Sequence, residues 1–124
     1  MPDWTREQER EALATISTLK RVLGIPNHPT KTDNFVGHTL HIFTPDETSA
    51  TLIGELLYRY GNGSREKYYN AHPEFETLRD TVKVEPVDGG GYDASVSVNH
   101  VAHLQRMLEK MIQKQIAPDK SFTR

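Results

Sequence analysis

The sequence predicts an α+β fold, a small antiparallel sheet of about three strands with helices packed mainly on one face. Three observations carry that expectation. Residues 81–87 and 91–98 alternate: Val82 and Val84 share one face of the first segment, and Tyr92, Ala94, Val96 and Val98 share one face of the second. A period of two marks half-buried strands, and Asp88-Gly89-Gly90 between them reads as a hairpin turn. Directly afterwards, Val101, Leu104, Leu108, Met111 and Ile112 recur at helical spacing over His100–Ile116. That stripe can lie on the apolar side of the hairpin, so sheet and helix cover one another.

Taken from its start, the chain first predicts a helix over Arg6–Leu23. Thr5 with Gln8 three residues later forms a capping box, and Gly24 is placed to stop the helix. Ala12, Leu13, Ile16, Leu19 and Leu23 give it one narrow apolar stripe. Trp4, just before the cap, reads either as a lid over the helix start or as a partner-facing anchor. Residues 25–34, with Pro26 and Pro29, form a loop. Val36–Phe43 should be a strand with Leu40 and Ile42 on one face and Phe43 on the other. Thr44-Pro45-Asp46-Glu47 then opens a helix, with Thr44 as N-cap and Glu47 closing the box. Its buried stripe is Ala50, Ile53, Leu56, Leu57 and Tyr60, and Gly61 ends it. A short helix over Arg65–Asn70 and a further turn or two after Pro73 complete the order α-β-α-α-β-β-α. One domain over 1–124 is expected, with residues 1–24 as an N-terminal helix and 117–124 as a frayed tail.

Composition narrows the function classes. Apolar residues make up 35% of the chain and mean hydropathy is −0.65, so the core is modest, and self-association or a bound partner can complete it. A formal net charge of −2 argues against a general nucleic-acid binder. There are no cysteines, which excludes disulfides, thiolate metal sites and cysteine nucleophiles. No apolar run has the length of a membrane span, and a cytoplasmic protein is the expectation.

Four histidines fall in two pairs, His38 with His41 and His100 with His103. An offset of three on a strand sends His38 and His41 to opposite faces, whereas His100 and His103 are neighbours on a helix. The spacings match no recognised zinc pattern, and neither metal nor cofactor is expected. The pairs would suit acid–base work in a phosphodiesterase or nuclease, because imidazole transfers protons near neutral pH. Two-histidine phosphoesterases carry a hydroxyl residue two positions after each histidine. Here Leu40, Phe43, Gln105 and Ala102 occupy those places, and the pattern fails. Were the protein an enzyme, His38, His41, His100 and His103 would be its catalytic candidates.

A second constellation is the corner from Tyr58 to Tyr69. Tyr58, Arg59, Asn62, Ser64, Arg65, Lys67, Tyr68 and Tyr69 surround a glycine turn leading into a helix start. Backbone N–H groups there can hold an anion, and the rings can stack or pack against a partner. With that turn between two helices, the order strand–helix–helix–strand–strand–helix resembles a KH-type RNA-binding domain, which implies a nucleic-acid-binding alternative. The loop departs from that family's, having one residue between Gly61 and Gly63 where the family has two. A third feature is the basic C-terminal side: Arg106, Lys110 and Lys114 on one face of the last helix, then Lys120 and Arg124.

These readings converge on a small non-enzymatic binding module. It would present its Tyr/Arg/Lys surface to a protein partner or a small phosphate- or nucleotide-containing ligand, and is expected to self-associate. In size and lack of cysteine it is similar to immunity proteins and phage-encoded inhibitors.

Overall fold

The computed structural model describes residues 4–61, 78 and 80–116. Helix α1, Arg6–Leu23, lies where its caps place it. Thr5 Oγ1 accepts the Gln8 N–H at 3.1 Å, and Gln8 Oε1 accepts the Thr5 N–H at 2.8 Å. Trp4 is the lid: its ring packs edge-on against His38 and tilted on Phe35, and its Nε1–H donates to Glu9 Oε2 at 2.9 Å.

The expected strand over 36–43 is instead a hairpin. Strands β1, Asn34–Val36, and β2, Thr39–Thr44, pair across a two-residue turn of Gly37 and His38. Gly37 has φ +62°, the left-handed conformation such a turn demands. The sheet therefore has four antiparallel strands rather than three, in the order β1-β2-β4-β3, where β3 is Lys83–Pro86 and β4 is Tyr92–Ser97. This also removes His38 from the strand and places it in the turn.

Helix α2 spans Glu47–Gly61 and α3 spans Val101–Ile116. The cap of α2 is Asp46 rather than Thr44: the Ser49 N–H reaches Asp46 Oδ1 at 2.8 Å, while the buried Thr44 hydroxyl donates to the Asp46 carbonyl at 2.7 Å. Pro45 gives Thr44 an extended backbone, which keeps it at the end of β2. The short helix expected over 65–70, residues 73–77 and the tail from Ala117 lie outside the described residues. Leu78 is buried in the core.

One cluster of apolar side chains joins the layers. Leu40 and Ile42 on β2 and Ala94 and Val96 on β4 meet Ile16 and Leu19 of α1, Ile53 and Leu57 of α2, and Leu104, Leu108 and Met111 of α3. The cross-strand pairs Leu40–Val96, Ile42–Ala94 and Val84–Ala94 put these residues on one face. A buried ion pair anchors the end of α1 to β2. Lys20 is 3% exposed, and its Nζ lies 3.0 and 2.9 Å from the two Asp33 oxygens and 2.7 Å from the Phe43 carbonyl. Asp33 Oδ1 also accepts the Phe43 N–H at 2.8 Å, so the pair extends the strand's bonding where β1 has ended. His28 closes the other end of the loop. Its Nδ1 accepts the N–H groups of Thr30 and Lys31, which leaves Nε2–H to donate to the Gly90 carbonyl at 2.8 Å.

Candidate functional site

A groove of about 790 Å³ runs between α2 and the edge strand β3. Thr51, Glu55, Tyr58 and Arg59 line it from the helix, and Val82 and Val84 from the strand side. These four helix residues stand a turn apart on one side of α2, away from the Ile53, Leu56 and Leu57 stripe that enters the core. Gly54 forms the floor. A Cβ there would lie 2.7 Å from Val84 Cγ2, so the glycine lets the helix approach the strand. On the rim Tyr58 is 48% exposed and Val84 37% exposed, an aromatic ring and a branched aliphatic side chain facing solvent beside a guanidinium.

Two members of the expected tyrosine–arginine corner, Tyr58 and Arg59, thus belong to this groove. Asn62, Ser64, Arg65, Lys67, Tyr68 and Tyr69 lie outside the described residues, as does Gly63 of the turn. Arg106, Lys110 and Lys114 are exposed along α3, and none of them lines the groove.

The histidines separate. His38 Nδ1 lies 2.9 Å from the Val98 carbonyl and its ring meets Trp4. His100 and His103 face one another, with ring centroids 5.4 Å apart. Among the described residues no three His, Asp or Glu side chains gather as a metal site. His41 stands on the face of the sheet opposite the core. Its Nδ1 is 2.6 Å from Asp93 Oδ2, and its ring stacks on Phe43 at 6.1 Å and 10°.

Sequence reasoning missed both Asp93 and the β3 wall. Asp93 carries no local signal, because its partner lies 52 positions away and pairs only once β2 and β4 are neighbours. Val82 and Val84 were read only as sharing one face of a half-buried strand, and the signal that they border a groove is Gly54 on the facing helix turn. No family model matches the chain, and neither a curated protein nor a solved structure matches it. Among the described residues no helix is long and apolar enough to cross a membrane.

Proposed function

We propose that the protein is a binding module whose contact surface is the α2–β3 groove, and that its partner is another protein. One observation carries the reading: Tyr58 and Val84 remain exposed on the rim of a groove floored by glycine, with Arg59 beside them. Tyrosine and arginine are the side chains that most often dominate protein contacts, because each combines a large packing surface with a directed polar group. The groove accepts an apolar side chain between Val82, Val84 and the Tyr58 ring, while Arg59 pairs with an acidic neighbour on the partner. An inhibitor or immunity-type role fits such a module, and a chain with no cysteine suits work in the cytoplasm.

A photo-crosslinking amino acid at Thr51, inside the groove, tests this in the native host. The expected result is a discrete protein adduct that disappears when Tyr58→Ala and Arg59→Glu are added, while a probe at Glu109 on α3 gives none. Equal adducts from both probe sites, or none from Thr51, would remove the groove as the contact surface. An adduct of twice the chain's mass would identify a second copy as the partner.

A further inference from the structure

The open face of the sheet carries chemistry that the groove does not use. Register sets Asn34, His41, Ser95 and Lys83 side by side in one row across all four strands, with Phe43, Asp93 and Glu85 in the next row. Asp93 and Ser95 are each only 8% exposed although they lie on the face away from the core. Asp93 spends one oxygen on His41, and its other oxygen, Oδ1, is buried without a partner among the described residues. A carboxylate can only accept, so His41 Nδ1 carries the hydrogen, and in the neutral imidazole Nε2 is the nitrogen with the lone pair. The His41 side chain is 26% exposed, and its ring lies nearly parallel to that of Phe43.

We propose that this row is a hydrolytic site for neutral carboxylic esters, with His41 Nε2 as general base, Asp93 as its positioning residue and Lys83 as the cation facing the developing oxyanion. Ser95, small, lies between them in the row. His41 and Lys83 are two strands apart, about 10 Å across the sheet, a gap that an attacking water and an ester carbonyl fill. In the first step a water O–H bond breaks, its proton passes to Nε2, and the water oxygen bonds to the acyl carbon while the carbonyl electron pair moves onto oxygen beside Lys83. In the second, that pair returns, the acyl C–O bond breaks, and the imidazolium gives its proton to the departing alkoxide. Acid and alcohol are the products, and His41 is regenerated. Four charged side chains surround the row, Asp93 and Glu85 against Lys83 and the Lys31 that lies 5.9 Å from the Phe43 ring. They balance, which suits a neutral substrate.

The test uses the full chain and p-nitrophenyl acetate. A positioned general base is worth about 100-fold or more, so His41→Ala and His41→Gln should each lose about 100-fold in kcat/KM. The Gln variant keeps an N–H donor toward Asp93 and so separates loss of the base from loss of the fold. His100→Ala, an exposed imidazole elsewhere, should change nothing. Asp93→Asn should lower kcat with KM nearly constant and alter the His41 pattern in long-range 1H–15N spectra. Wild-type turnover matched by both His41 variants, an equal loss in His100→Ala, or a wild-type His41 bearing its hydrogen on Nε2 would each overturn the proposal. The spectrum of the unmutated chain decides the last point whether or not any variant folds.

Discussion

The two faces of the β2–β4 pair are built from alternate residues of the same strands, yet they are held by different physics. On the helix side, Leu40, Ile42, Ala94 and Val96 are sealed under α1, α2 and α3. On the other, Asp93 and Ser95 are nearly as hidden, although polar, because a central strand is flanked by the side chains of both neighbours. The inner face is dry by packing between layers, and the outer face is shielded by packing within one. Losing a side chain from the first leaves a void, whereas losing one from the second admits water. The faces therefore differ in what mutation costs and in what chemistry each can support.

The largest expected effect sharpens that contrast. Ile42→Ala, in the sealed layer, should cost about 2–5 kcal/mol in chemical denaturation. Lys20→Met comes next, since it leaves the Asp33 carboxylate beside the core without its cation. Asp33 keeps the Phe43 N–H and some access to water, so about 2–3 kcal/mol is expected in the same measurement. Gly91→Ala should cost about 1–3 kcal/mol. Its φ is +85°, and an added Cβ would lie 2.5 Å from the His28 ring and 2.7 Å from the Thr44 carbonyl. Loss of the Nε2–H signal of His28 would show that its latch on Gly90 had opened. The smallest effect is Ser95→Ala, buried on the open face with no hydrogen bond to its hydroxyl among the described residues; a change within about 0.5 kcal/mol is expected. A loss as large as that of Ile42→Ala would break the contrast between the faces.

What was legible in the chain follows the range of the interactions involved. Helix α1 could be read to the residue because Thr5, Gln8 and Gly24 are local signals. The β3–β4 hairpin was legible from alternation across its glycine turn, and the apolar stripe of α3 from its spacing. Strand β1 was not, since Val36-Gly37-His38-Thr39 lies inside what looks like one apolar run and the turn shows only once the halves pair. The cap of α2 was misplaced by two residues because Thr44 and Asp46 are both good cap residues, and the end of β2 keeps Thr44 extended. For the groove, Tyr58 and Arg59 were visible as an exposed pair, but their opposite wall comes from beyond residue 80. The His41–Asp93 contact needed the sheet order itself. Short-range chemistry was readable, and cross-strand chemistry was not.

Neighbouring residues of β2 give the most direct test of the two-faced sheet. We expect His41→Ala, which takes the hydrogen bond from Asp93 but opens that carboxylate to water, to cost about 1–2 kcal/mol by equilibrium denaturation, against the loss of several that Ile42→Ala should show beside it. Equal losses at the two positions would mean that the outer face is sealed like the core, and the account of an open polar face would be wrong.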